Sequence, residues 1–372
     1  MESIISVSTL PNAKRRQIAS SKVGPCSLRS PLMGNGGQWN TTRQWQRPAG
    51  SSIAFNSRAH GFAGDYRRLL SGSSGLKFKN LPLKLESATF RSAYRLLNLR
   101  PSSRPYLSGD GFRMLCKHFY EDETRSSFEP LAVKQDELVF CEAWHLKEFL
   151  LEPALRIRSA FSIVSHNGDC SVDETISGIL PKNLKQLFSQ NVLVDDERII
   201  PLPIGLENKR LHYNGIIRDF DALRRKTVEK KPRILSAFTV GNNAKAREEA
   251  LQHLSATPLN DTIGRINSRA YRKLAATYMF IASPPGNGAD CHRTWEAMYL
   301  GSVPIVLRSR LTEYFHEIGL PMHLVSSYEE ISFLDEGKLT EIYAQNRQKF
   351  LAKALWMDFW EAEINRKINP KG

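Results

Sequence analysis

From about residue 105 onward, short apolar runs alternate with longer stretches in which apolar positions recur every three or four residues. That alternation predicts β-strands separated by α-helices. Leu138-Val139-Phe140-Cys141 and Phe161-Ser162-Ile163-Val164 read as strands, and Val192-Leu193-Val194 and Ile199 to Ile204 continue the series. Helices are predicted from Leu146 to Leu155 and from Pro181 to Ser189, where proline occupies a tolerated first-turn position. The charged break Glu229-Lys230-Lys231-Pro232-Arg233 reads as a linker, after which the alternation restarts. Strands are predicted at Ile234 to Phe238, Tyr278 to Ala282 and Val303 to Leu307. Helices are predicted at Ala244 to Leu254, Arg269 to Ala275 and Asp290 to Leu300, with mostly helical chain from Glu329 to Ile364.

Strand–helix alternation implies parallel β-α-β units. The chain therefore reads as an α/β protein with two facing Rossmann-like domains, residues 105–230 and 231–355, followed by a C-terminal helix and tail, 356–372. Ligands in such sheets sit outside the carboxyl ends of the strands, which puts the expected site in the cleft between the two halves.

Residues 1–80 develop no apolar period and are punctuated by Gly34-Asn35-Gly36-Gly37, Gly50-Ser51-Ser52 and Ser71-Gly72-Ser73-Ser74-Gly75. They read as a disordered or targeting extension. The net charge of +14 is uneven: residues 1–64 hold eight basic residues and one acid, and so carry half of it. The first 60 residues suit an organelle transit peptide and equally a disordered bacterial extension. The expected location is cytoplasmic, or a plastid if residues 1–60 are a transit peptide. The remaining charge is mixed and spread along the chain, which does not indicate a nucleic-acid partner and leaves peripheral contact with an anionic membrane open. No run approaches the roughly 20 apolar residues of a membrane helix. The five cysteines are widely spaced without a C-x-x-C pair, so reduced thiols are expected rather than a disulfide framework or structural zinc.

Candidate chemistry concentrates between Ser283 and Val306. The stretch Ser283-Pro284-Pro285-Gly286-Asn287-Gly288-Ala289-Asp290 ends a strand in a glycine-bearing loop that lets a ligand approach the backbone. Asp290 is the expected N-cap of the next helix, whose free N–H groups favour an anion. Cys291, Trp295, Met298 and Tyr299 form the stripe expected to face the sheet. His292, Arg293 and Glu296 share another side. An arginine in a first helical turn opposes the helix dipole, and a bound diphosphate removes that conflict. Glu296, one turn on, is placed for ribose hydroxyls. The bland alternative for this helix is an exposed Arg293–Glu296 ion pair. His292 and Glu296 stand at i, i+4, but no third metal ligand accompanies them, so no metal site is expected.

The segment resembles the donor-binding motif of the exostosin-like glycosyltransferases, in which Pro-x-Gly precedes a helix with Arg and Glu-Ala, then Gly-x-Ile/Val-Pro-Val/Ile. Pro284, Gly286, Arg293, Glu296, Ala297, Gly301, Val303, Pro304 and Ile305 match. Pro285 departs from members with a basic residue there. Gly286, Asn287, Gly288, Asp290, His292, Arg293 and Glu296 are the donor-binding candidates of this segment, and the resemblance implies a B-type glycosyltransferase fold (GT-B), in which the C-terminal domain binds a nucleotide sugar. It implies Arg293 on the diphosphate and Glu296 on the ribose. It also implies inverting transfer to a glycan or other hydroxyl acceptor, with no cofactor beyond the nucleotide-sugar cosubstrate and no obligatory metal.

Further candidates lie elsewhere. Lys245 and Arg247, early in a helix, are placed to reach donor phosphates across the cleft, or else mark a solvated helix start. In Ser165-His166-Asn167-Gly168-Asp169, either Asp169 or His166 can serve as the base that deprotonates the acceptor, unless Asn167-Gly168 is simply a turn. Ser108 to Arg113 can shape an acceptor pocket or start a helix, and Ile204-Gly205-Leu206-Glu207 should lie near the cleft. Trp356 to Trp360 reads as packing. A nucleotide-sugar-binding protein without transfer activity is the competing functional reading.

Overall fold

The computed structural model describes residues 83–97 and 99–369. The predicted extension, residues 1–80, lies outside them. Two parallel five-stranded sheets are formed. The first comprises β1 (His118–Tyr120), β2 (Glu137–Glu142), β3 (Phe161–His166), β4 (Leu184–Ser189) and β5 (Ile199–Pro201), ordered β1-β2-β3-β4-β5. The second comprises β6 (Lys231–Ser236), β7 (Asn260–Thr262), β8 (Tyr278–Ala282), β9 (Val303–Leu307) and β10 (His323–Val325), ordered β10-β9-β8-β6-β7. Both belong to one compact unit.

Strand pleating sorts the side chains into three cores. In β2, Val139 and Cys141 enter a core private to the first sheet, while Leu138 and Phe140 enter a core shared by the two sheets. In the second sheet Ile234, Phe280 and Val303 pack on the private face, and Leu235, Ile281 and Val306 on the shared one. Adjacent parallel strands joined in one direction place right-handed crossovers on a single face. The opposite face of the first sheet is met by the final helix, Met357–Ile368, which packs on β4 and on the short helix Gly109–Arg113. Trp360 of that helix is buried, as expected of a packing residue.

Several elements differ from expectation. Residues 184–189, predicted helical within Pro181 to Ser189, form β4. The register against β3 shifts between Phe161 and Ile163, which pair with Leu184 and Leu187. That irregularity spaces two residues of one face by three instead of two and imitates a helical period. Val192-Leu193-Val194 is not a strand, and Val192 makes only an isolated bridge with Val172. The helix predicted to reach Leu155 stops at Leu151 and continues as a 3-10 turn from Pro153. Strand β5 ends at Pro201, and β6 begins inside the expected linker, at Lys231.

Candidate functional site

The second sheet changes winding direction between β6 and β8, so its crevice lies outside their carboxyl ends. Residues 237–243 leave β6 there and residues 283–291 leave β8. Arg247, 3% exposed on the helix Ala244–Ala256, ties the two loops together. Its Nε donates to the Pro285 carbonyl at 2.9 Å and its Nη1 to the Thr239 carbonyl at 2.7 Å. Asn243 Nδ2 adds a bond to the Gly286 carbonyl at 3.0 Å, and the Gly286 N–H closes a tight turn onto the Gly288 carbonyl at 3.1 Å. Arg247 is thus a loop brace within its own domain rather than an arm across the cleft, because its buried guanidinium spends two donors on loop carbonyls. Lys245 is exposed on the same helix.

The Arg293 helix runs from His292 to Tyr299, with Cys291 and not Asp290 in the N-cap position. Asp290 turns inward. Trp295 is fully buried, and its indole N–H needs an acceptor. The Asp290 carboxyl supplies one at 2.9 and 3.1 Å, and also accepts the Ile204 N–H at 2.9 Å. Burial pushes the Asp290 carboxyl up to about 7, against those hydrogen bonds. No side chain caps the helix start, where Ser283 Oγ lies 2.9 Å from Thr294 Oγ1 and 3.1 Å from Cys291 Sγ. His292 is half-buried, and its Nδ1 lies 2.7 Å from the Gly205 carbonyl. A carbonyl only accepts, so Nδ1 carries the proton.

Arg293 and Glu296 do not form the surface ion pair of the bland reading. Glu296 is 7% exposed and its carboxyl makes no hydrogen bond among the described residues. Burial raises it to about 7; Arg293 and Arg272 oppose that rise and Glu207 adds to it. Arg293 lies with its guanidinium 5.9 Å from the Phe238 ring centroid, and its buried Nε has no partner. Two residues not singled out from the sequence complete this group, both from the helix Ser268–Ala275. The Tyr271 hydroxyl is buried within reach of the Arg293 guanidinium and in the field of Glu296, with no acceptor for its own proton. Arg272 is buried, bonded to the Asn214 carbonyl at 2.8 Å and to Asp219 at 2.6 Å, with its Nε unpartnered. The sequence did signal them weakly, as a tyrosine-arginine pair inside a helix otherwise short of apolar residues.

The first sheet supplies the facing wall. Asn287 Nδ2 donates to Asp169 Oδ2 at 3.2 Å, joining two expected site residues across the cleft. Asn191 Oδ1 accepts the Asp290 N–H at 2.9 Å. Gly288 lies so close that a Cβ there would stand 2.6 Å from Asn191 Nδ2. Glu207 is engaged by the backbone N–H groups of Tyr213, Asn214 and Gly215 at 2.6–3.2 Å.

His166 is not arranged as a base. It is 1% exposed, its Nε2 lies 3.1 Å from the Pro203 carbonyl, and its Nδ1 accepts the Asn167 N–H at 2.8 Å. Burial lowers it to about 4, so it is a neutral imidazole with both nitrogens engaged. Asp110, from the Ser108–Arg113 stretch, is likewise buried, held by Arg210 at 2.9 Å and by Asn167 Nδ2 at 3.2 Å. That stretch is a capped helical turn, with Gly111 N–H bonded to Ser108 Oγ.

In Asp219-Phe220-Asp221 both carboxylates are engaged, Asp219 by Arg269 and Arg272 and Asp221 by the Tyr106 hydroxyl. Among the described residues, side chains with metal-ligand spacing are Asp122, Glu142 and His145, none of them from the crevice. No helix of the described residues is long and apolar enough to cross a membrane.

No family model matches this chain, and no curated protein sequence does. Solved structures do match. An α,α-trehalose 6-phosphate synthase from Burkholderia multivorans aligns over 65% of this chain and 72% of its own at 8% identity, TM-score 0.38. A UDP-GlcNAc 2-epimerase from Methanocaldococcus jannaschii, in complex with UDP-GlcNAc and UDP, aligns over 59% and 70% at 12% identity, TM-score 0.29. A glycosyltransferase involved in avilamycin A biosynthesis aligns over 63% and 85% at 11% identity, TM-score 0.31. Likeness at these TM-scores carries no argument about activity.

Proposed function

We propose that this chain is a glycosyltransferase that moves a sugar from a nucleotide-sugar donor to a hydroxyl acceptor, with the donor in the β6/β8 crevice. One observation carries the reading: on adjoining turns of one helix, a guanidinium Nε is buried without a partner and a carboxyl that is 7% exposed makes no hydrogen bond. Buried polar groups without partners are costly, so a ligand able to engage both is the economical occupant. Arg293 fits a diphosphate, and Glu296 fits ribose hydroxyls. The resemblance to the exostosin-like transferases rests on Ser283 to Val306 and agrees with those roles.

Gly286, Asn287 and Gly288 form the bend beside the donor, and His292 lines the crevice. Asp290 and Arg247 hold that bend in place. Asp169 is the base we assign for inverting transfer, because it stands opposite the donor loop and His166 has no free nitrogen. In the proposed step the Asp169 carboxylate takes the acceptor proton as its oxygen attacks the anomeric carbon. The bond to the diphosphate breaks, and the electron pair leaves on a phosphate oxygen beside Arg293. With Arg293 in that role, activity is expected to survive EDTA.

Calorimetry with UDP-, GDP- and CDP-sugars, followed by transfer assays, tests the reading. Folded protein that binds none of them refutes it. Donor binding without turnover, unchanged by Asp169→Ala, would instead favour a non-catalytic nucleotide-sugar-binding protein.

A further inference from the structure

Resting on the donor-site reading above, we infer that Tyr271 is a donor-positioning residue whose hydroxyl shares with Arg293 one phosphate oxygen of a nucleoside diphosphate. Three observations converge. Tyr271 comes from the helix Ser268–Ala275, outside the Ser283–Val306 segment, yet its hydroxyl reaches the group formed by Arg293 and Glu296. The hydroxyl is buried within reach of the Arg293 guanidinium, which can only donate to it, so its own proton has no acceptor, and Arg293 Nε is buried without a partner beside it. Arg272, the next residue of the same helix, presents a third unpartnered donor, its own Nε.

The chemistry of this set is lopsided. Two guanidinium nitrogens and a phenol offer protons, and Glu296 is the nearby acceptor, yet it bonds to none of them. Burial raises the Tyr271 hydroxyl above its ordinary range, so it stays protonated and remains a donor. A phenol proton and a guanidinium N–H left without acceptors on neighbouring side chains call for an external oxygen that accepts from both. An anionic phosphate oxygen does this, and such charge-assisted bonds are roughly twice as strong as neutral ones. A hydroxyl-rich neutral ligand would serve Glu296 but leave two cationic donors poorly matched. Arg247 adds positive charge on the same side, its Nη2 lying 3.1 Å from where a Cβ on Gly286 would stand. The geometry therefore favours a diphosphate over a single uncharged sugar at this spot.

Tyr271→Phe removes the one oxygen and keeps the ring. Inorganic pyrophosphate probes the phosphate subsite without a choice of base, and UDP, GDP and CDP are run beside it. The expected result is pyrophosphate and diphosphate affinity weakened about tenfold or more, as for loss of a hydrogen bond to a charged group. The melting temperature of the free variant should change little, because the lost contact with Arg293 is offset by removal of a buried hydroxyl proton that has no acceptor. Equal affinity in Tyr271→Phe and wild type overturns the inference while leaving the donor site standing. A melting temperature lowered by several degrees without ligand overturns it too, since the hydroxyl proton would then have an acceptor within the fold. If wild type binds neither pyrophosphate nor any nucleoside diphosphate, the donor-site reading itself falls.

Discussion

The carboxyl of Asp290 accepts the backbone N–H of Ile204 at 2.9 Å, so one buried side chain from the second sheet's ligand loop closes on the strand end of the first. Trp295 holds the same carboxyl from below. The residue that reads as a helix cap is in fact the latch between the two halves, and its burial gives the latch a pH dependence.

Asp290 and Glu296 each titrate at about 7 in the fold, against ordinary values of 3.8 and 4.5. Between about pH 4 and 7 the folded state therefore holds protons that the unfolded chain has released. Stability contributed by each carboxyl falls as pH rises through that window, by at most about 1.4 kcal/mol per pH unit, and levels off above it. His166 acts oppositely below its ordinary 6.5, since its folded value is about 4. The discriminating measurement is thus a difference: the melting temperature of wild type minus that of Asp290→Asn, from pH 5 to 8. It should shrink with rising pH, and a constant or growing difference would show that Asp290 is ionised throughout.

Trp295→Ala should destabilise the protein by about 3–5 kcal/mol, as loss of a large core side chain does. Trp295 is fully buried, packs edge-on against Phe315 at 5.3 Å between centroids, and gives Asp290 its hydrogen bond. Urea unfolding monitored by circular dichroism measures this. A loss below about 1 kcal/mol would mean that the helix can repack without it.

How much of this was legible in the sequence follows from burial. Strands β8 and β9 lie between neighbours on both sides and under apolar cover on both faces, so Tyr278 to Ala282 and Val303 to Leu307 stand out as runs. All four edge strands have three residues: β5 is apolar and was legible, whereas β1, β7 and β10 carry His118, Asn260-Asp261-Thr262 and His323, so no run marks them. The stripe of Trp295, Met298 and Tyr299 was readable from spacing, because one helix fixes it. Asp290 was misread because the acceptor that Trp295 needs is a tertiary demand, which outweighs a local cap. Tyr271 and Arg272 escaped notice because nothing local relates them to a helix twenty residues onward.

Gly205 adopts φ +67°, and a Cβ there would stand 2.3 Å from the Leu107 carbonyl oxygen. Its own carbonyl receives the His292 proton. Gly205→Ala should cost at least about 1–2 kcal/mol from the left-handed backbone alone, with the backbone clash added to it. Gly241→Ala, where nothing stands within 4 Å of the new methyl, is the control and should be close to neutral. Denaturant midpoints separate the two. Equal midpoints would mean that the Gly205 turn relaxes freely.

Arg293→Ala and Glu296→Gln test the donor site from its two chemical ends. Arg293→Ala removes a guanidinium that meets the Tyr271 hydroxyl and the Phe238 ring, and Glu296→Gln relieves a buried carboxyl that makes no hydrogen bond, so neither should lower the melting temperature by much. Each should weaken nucleotide-sugar binding by roughly 1.5–3 kcal/mol, about tenfold to a hundredfold in Kd, as expected for bonds that involve a charged partner. The two should also differ in what they lose. Arg293→Ala should abolish the distinction between nucleoside diphosphate and nucleoside, because it removes charge from the phosphate subsite. Glu296→Gln should keep that distinction and lose discrimination between ribose and 2′-deoxyribose forms. If both variants lose the same distinction, the two side chains contact one part of the ligand, and the division of labour between phosphate and ribose is wrong.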